Sequence, residues 1–146
     1  MNSKKSVMSK QQGFTLIEVM VVIVILGILA ALIVPNVMGR GEKAKVDTTN
    51  ITLSQVASAL DQYKLDNNQY PSMQDGGLEA LITQPSSAKN WLPGGYVKGG
   101  YPTDSWDNKL QYSAPGSEGK PFDLYSFGAD GQSGGEGTDA DIYFQH

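Results

Sequence analysis

Residues 19–34, VMVVIVILGILAALIV, are sixteen consecutive apolar side chains or glycines. Phe14, Thr15, Leu16 and Ile17 extend the run toward the N-terminus, and Glu18 is its one charged interruption. A bilayer core takes roughly 20 residues at about 1.5 Å of rise each, which matches this stretch. A soluble helix of this composition would be apolar on every side, and a small domain has no room to bury it all round. The run is therefore expected to cross a membrane. Positive charge flanks only its N-terminal side, as Lys4, Lys5 and Lys10, with no acid among residues 1–13. That asymmetry keeps the N-terminus cytoplasmic and sends residues after Pro35 across. A secretory signal peptide shares the basic and apolar regions, but its apolar part is shorter and ends at a small-x-small cut site. Here Ala30-Ala31 runs straight on into Leu32-Ile33-Val34-Pro35.

The remaining length, out of 146 residues, suits one small domain. Net charge is −4, and removing the three lysines of residues 1–13 takes it to −7. A nucleic-acid-binding domain would show a basic face instead. Cysteine is absent, which excludes disulfides, thiolate metal sites and a cysteine nucleophile. The one histidine is His146, so no Ser-His-Asp set can form, and no Gly-x4-Gly-Lys-Ser/Thr loop is present. The acids that a carboxylate pair for glycoside hydrolysis would draw on sit together in one loop rather than across a cleft. The chain is expected not to be an enzyme.

Pro35 should end or bend the first helix, because it removes one backbone bond, and Gly39 and Gly41 weaken the next turn. Residues 42–67 contain no Pro or Gly. Leu53, Val56, Leu60 and Tyr63 recur there at spacings of three and four, one apolar stripe on a wet helix. The stripe is expected to face the domain core, with Val46 and Ile51 left for neighbouring subunits. The helix should stop near Asp66-Asn67-Asn68, with Tyr70-Pro71 as an extended exit. Residues 76–83 suit a short helix, and Trp91, Tyr96, Tyr101 and Trp106 should anchor loops on the stripe. Residues 109–112 and 122–127 suit strands, with APGSEGKP as the turn between them. In the second strand, Phe122, Leu124 and Ser126 share one face. The expected fold class is α+β: a long N-terminal helix, half in the membrane and half amphipathic, packed on a small antiparallel sheet with long loops.

GADGQSGGEGTDADI, residues 128–142, gathers Asp130, Glu136, Asp139 and Asp141 among glycines. Glycines let carbonyls turn inward and the acids supply charge, as a hard cation such as Ca²⁺ requires. The spacing is not that of an EF-hand, and an acidic Gly-rich loop can equally be a plain solvated one.

KQQGFTLIEVMVVIVILGILAALIVP resembles the class III signal of type IV pilin-like proteins: a short basic leader, Gly, Phe-Thr-Leu-Ile-Glu, then an unbroken apolar helix. Gly13, Phe14, Thr15, Leu16 and Glu18 carry the match. The resemblance implies that a prepilin peptidase cuts between Gly13 and Phe14 and that Phe14 is then N-methylated. It also gives Glu18 a purpose. A charge inside a membrane is expensive and is tolerated mainly when paired or functional. In a helical stack, Glu18 of one subunit can neutralise the new Phe14 ammonium of its neighbour and so fix their register. The plainer alternatives are that Glu18 reaches the interface, or pairs with its own Phe14 amine.

Downstream, YKLDNNQYP, the Gly-Leu-Glu-Ala-Leu stretch, Trp106-Asp107 and FDLYSFGADG with its GEGTDADI tail are similar to the major pseudopilins of type II secretion systems. A Pro is common in that family where this chain has Ser105, and Ile142-Tyr143-Phe144-Gln145-His146 replaces its more usual ending. The resemblance implies a pilin-like fold and one bound Ca²⁺ in the last loop. Asp130 is then one side-chain ligand, Asp141 and Asp139 compete for the second, Phe127 and Gln132 donate carbonyls, and Thr138 is a further carbonyl candidate. It divides the chain into a cleaved leader (1–13), a transmembrane and assembly helix (14–35), an amphipathic helix (36–70) and a loop-rich part with the sheet and Ca²⁺ loop (71–146). Residues 36–146 form the periplasmic domain. The implied function is that of a structural subunit of the periplasmic pseudopilus, a helical homopolymer that drives export of folded proteins across the outer membrane. Expected partners are prepilin peptidase, minor pseudopilins, an inner-membrane assembly platform with its cytoplasmic ATPase, and an outer-membrane secretin. The expected location is the bacterial inner membrane, single-pass, and the assembled fibre. A type IV pilus or minor pilin subunit, or a membrane-anchored periplasmic calcium-binding module, are the competing functions.

Overall fold

The computed structural model describes Lys10 and residues 12–146, with side chains throughout except at positions 34–38. Lys4 and Lys5 of the expected leader lie outside the described residues. The chain divides into two compact units, Met1–Gly39 and Arg40–His146. One helix, α1 (Leu16–Asn67), contributes to both.

In the first unit the helical stretch Leu16–Ile33 is long and apolar enough to cross a membrane, and none of it is buried among the described residues. Pro35, expected to end or bend the helix, does not end it. The backbone stays helical through Pro35, Gly39 and Gly41. Proline costs one helical bond, but its fixed φ is itself helical, so a single lost bond need not stop a helix.

In the second unit the expected stripe is the core. Leu53, Val56, Leu60 and Tyr63 are each at most 3 % exposed, and Ala57 and Ala59 widen the contact. Ile51 remains exposed and Val46 half-buried. Asn68 ends α1 in the left-handed region at φ 63°, and its N–H donates to the Lys64 carbonyl at 2.7 Å. That is the αL cap, which Asn tolerates better than most residues. The short helix expected at 76–83 is a 3₁₀ turn, Gly77–Leu81, which buries Leu78, Ala80 and Leu81.

Three antiparallel strands follow in the order β1 (Gln111–Ser113), β2 (Asp123–Ser126), β3 (Ile142–Tyr143). The first strand begins two residues later than expected, and Lys109 instead forms an isolated bridge with Thr103. The register sets Tyr112 opposite Leu124 and Gln111 opposite Tyr125. Phe122, Leu124 and Ser126 are buried on one face, as their alternation requires. On the other, Tyr125 stacks on Tyr143 of β3 with ring centroids 4.8 Å apart. Leu110, Tyr112, Phe122 and Leu124 join the α1 stripe and the 3₁₀ turn in one core. The Tyr112 hydroxyl, buried, donates to the Pro71 carbonyl at 2.8 Å.

Of the four loop aromatics, Trp91, Tyr96 and Tyr101 pack on this core. Trp91 also donates its indole N–H to the Ala80 carbonyl at 2.7 Å. Trp106 lies elsewhere, its indole N–H aimed at Glu42 Oε2 at 3.4 Å.

Candidate functional site

Two regions carry the predicted site residues. The first is the start of α1. Gly13 and Phe14 are exposed, Phe14 at 84 %. Thr15 Oγ1 accepts the Glu18 N–H at 3.3 Å, and Glu18 Oε2 accepts the Thr15 N–H at 3.4 Å. This is a reciprocal capping box, in which Thr at the N-cap and Glu three residues later satisfy each other's orphan donors. Its signature, Thr-x-x-Glu, is plain in the sequence, yet Thr15 was not among the predicted site residues. Past it, Leu16, Ile17, Met20, Ile23, Val24 and Leu26 present an apolar surface on all sides, each at least 58 % exposed.

The second is the loop between β2 and β3. Gly128 opens it at φ 74°, and a Cβ there would stand 2.7 Å from the Ala140 carbonyl oxygen. The loop's two ends thus meet backbone to backbone, which only Gly permits. Gly135 makes a similar close approach, with its notional Cβ 2.6 Å from the Asp139 carbonyl oxygen. Asp130 Oδ1 accepts the Gln132 N–H and Asp141 Oδ1 accepts the Gly134 N–H, both at 3.0 Å. Asp141 therefore ties the far side of the loop to its exit, seven residues away. The Asp139 side chain makes no comparable bond among the described residues, while its N–H donates to the Glu136 carbonyl at 3.1 Å. The Thr138 carbonyl accepts the Ala129 N–H at 2.9 Å; those of Phe127 and Gln132 accept no loop N–H among the described residues.

A hard cation takes six to eight oxygens. Among the described residues, Asp130 and Asp141 each keep one oxygen without a hydrogen bond, and the loop's acids form no ion pair. No three acidic, histidine or cysteine side chains converge among the described residues. A Ca²⁺ ion held here would take two carboxylates at most, from Asp130 and Asp141, and the rest of its shell from carbonyls and water.

A third group was not foreseen. Thr49, Asp104 and Ser126 are the buried polar side chains of the domain among the described residues. Asp104 Oδ1 accepts the N–H groups of Trp106 and Asn108, each at 2.9 Å, and Oδ2 accepts the Ser126 hydroxyl at 2.6 Å. Nothing in the order of residues 104–108 announces that this turn meets the Gly-rich loop.

The family model described as type II secretion system (T2SS), protein G, matches residues 36–145, and the one described as the prokaryotic N-terminal methylation motif matches residues 8–34. The chain belongs to the type II secretion system protein G family. Its relatives named type II secretion system core protein G include one from Pseudomonas aeruginosa, 57 % identical over 91 % of this chain and 94 % of that protein. One from Vibrio cholerae is 53 % identical over 92 % of each chain. Among solved structures, the major pseudopilin of the type 2 secretion system of enterohaemorrhagic Escherichia coli is similar at a TM-score of 0.62. It is 36 % identical, and the match covers 75 % of this chain and 93 % of that one. The protein G assignment makes this chain a structural pseudopilus subunit of type II secretion, not an enzyme. Its α+β fold, a long helix with a small antiparallel sheet, is that of the pseudopilin.

Proposed function

We propose that this protein G chain is inserted in the inner membrane, cut between Gly13 and Phe14 by a prepilin peptidase, methylated at Phe14, and polymerised through α1 into the pseudopilus. The observation that carries this is the apolar helical surface Leu16–Ile33, unburied among the described residues, with Glu18 as its single charge. Lipid covers such a surface in the monomer, and copies of the same helix cover it in a fibre. A lone carboxylate in the membrane costs about 3 kcal/mol. The capping-box bonds of Glu18, at 3.3 and 3.4 Å, are long for N–H···O bonds. An ammonium from the cut Phe14 of a neighbour offers a shorter, charge-assisted bond of about 2.8 Å. Only one stagger of two helices brings those groups together, so the pair sets register as well as energy.

The energy for extension comes from a cytoplasmic ATPase on an inner-membrane platform, since this chain has no phosphate-binding loop. Minor pseudopilins and an outer-membrane secretin complete the path for folded exports. Residues 36–146 stand in the periplasm, where the 127–141 loop holds Ca²⁺. Asp130 and Asp141 supply carboxylates, and Phe127 and Gln132 supply carbonyls. The bond from Gly134 to Asp141 favours Asp141 over Asp139 as the second side-chain ligand. Ca²⁺ would join the two ends of the loop electrostatically, beside the backbone contact at Gly128.

Mass spectrometry of the N-terminal peptide of the membrane form tests processing. A peptide beginning at Phe14 and carrying one methyl group is expected. An intact Met1, or a cut after Ala31, would overturn the fibre reading.

A further inference from the structure

We propose that the turn at residues 104–108 sets the shape, and through it the cation affinity, of the 127–141 loop, with Asn108 as the positioning residue and Ser105 as its anchor on α1. This rests on the reading of that loop as a cation site.

The turn is internally rigid. The Asp104 N–H donates to the Asn108 carbonyl at 2.8 Å, and Asp104 Oδ1 accepts the Asn108 N–H in return. The Asp104 carboxylate is 5 % exposed and faces no lysine or arginine among the described residues. A buried carboxylate persists only when its oxygens are well bonded, and three neutral donors do this here. The network is connected, since a polar chain left half-satisfied would cost more than an apolar core.

One bond from this turn, and one relayed through Ser126 of β2, grip one residue of the loop. The Gly128 N–H donates to Ser126 Oγ at 3.0 Å, and Ser126 in turn donates to Asp104. The Gly128 carbonyl accepts the Asn108 side-chain N–H at 3.0 Å. The Asn108 carboxamide also lies against Gly131, where a Cβ would stand 3.0 Å from its Oδ1. Each contact falls beside a proposed ligand. Gly128 follows Phe127 and touches Ala140, the neighbour of Asp141; Gly131 separates Asp130 from Gln132. Such outer groups orient metal ligands, and their loss costs about 10- to 100-fold in metal affinity.

The other side of the turn is fixed to α1. Ser105 Oγ donates to the Lys45 carbonyl at 2.9 Å and accepts the Thr49 hydroxyl at 3.0 Å. The Ser105 N–H donates to Thr49 Oγ1 at 3.2 Å. A proline at this position would have neither the N–H nor the hydroxyl. Thr49, at 0 % exposed, has no other polar partner among the described residues than this serine. Loading of the loop should therefore be felt outside it, at the amides of Asn108 and Ser105.

Two measurements on the full chain in detergent micelles decide this. One is amide hydrogen exchange of the wild type with CaCl₂ and with chelator. Slower exchange at Ser105 and Asn108 as well as at residues 127–141 is expected; protection confined to the loop would overturn the proposal, with no variant needed. The other is calorimetric titration with CaCl₂. Asn108→Ala should weaken binding about tenfold, whereas Asn90→Ala, which removes a carboxamide bonded to Asp66 on the helix end, should leave it unchanged. Equal affinity for Asn108→Ala and wild type overturns the positioning role and leaves the cation site standing. A wild type that binds no Ca²⁺ overturns the cation site and this inference together.

Discussion

Tyr63 is buried to the last atom, and its hydroxyl has no hydrogen-bond partner among the described residues. Burial raises its pKa, with the negative field of Asp75 adding to the effect. A buried hydroxyl without a partner costs about 1 to 3 kcal/mol. Tyr63→Phe is therefore expected to leave stability unchanged or raise it by about 1 kcal/mol in urea denaturation. A loss of about 1 kcal/mol or more would show that the hydroxyl is bonded, with Ser87 the nearby candidate. Asp75 is the opposite case. Its Oδ2 accepts the Ser72 hydroxyl at 2.6 Å and Ser72 N–H at 3.1 Å, and its Oδ1 accepts the Ser87 hydroxyl at 2.5 Å. The Ser72 hydroxyl, then that of Ser87, hold this carboxyl below its usual range. A depressed carboxyl pKa stabilises the fold above its unfolded value, about 4, and that contribution fades as pH falls through the folded value. Asp75→Asn should flatten the acid side of the stability profile, measured by denaturation from pH 3 to pH 7. A profile as steep as that of the wild type would place the acid sensitivity elsewhere.

Elements with a period were legible, and elements made by contact were not. The stripe Leu53, Val56, Leu60 and Tyr63 has helical spacing, so its burial could be anticipated. The alternation around Leu124 gave the inner face of β2 for the same reason. β3 is two residues, Ile142–Tyr143, too short to show alternation. It exists because the loop returns the chain to β2, where Tyr143 stacks on Tyr125 and the Phe144 N–H donates to the Leu124 carbonyl at 2.8 Å. The acids of the loop were visible as composition, but Asp104 and Asn108 lie some twenty residues upstream. Only the folded contact at Gly128 reveals their part. A loop so tied at its neck, yet with carboxylates unpaired among the described residues, should respond to cations as a unit. Saturating Ca²⁺ at about 100 times its dissociation constant should add about 2.7 kcal/mol to the stability of the fold. Thermal melts with CaCl₂ and with chelator measure this, and coincident melts would remove Ca²⁺ from the loop.

At the scale of the whole chain, the two units divide the work. Arg40–His146 buries its own core, whereas Leu16–Ile33 is unburied among the described residues. The first unit was the most legible part of the sequence, because sixteen apolar residues in a row admit few fates. What composition did not reveal is that Glu18 has a use in a single chain, capping α1 with Thr15, before it meets any neighbour. Capping serves one helix and pairing with a Phe14 ammonium serves the fibre, so the first is read in the inserted, folded monomer and the second in the fibre. With the secretion machinery expressed alongside, the wild type should form fibres visible by electron microscopy. Glu18→Ala should insert in the membrane and keep a folded domain, with fibres lost. Fibres from Glu18→Ala in wild-type number and length would contradict assembly through that carboxylate.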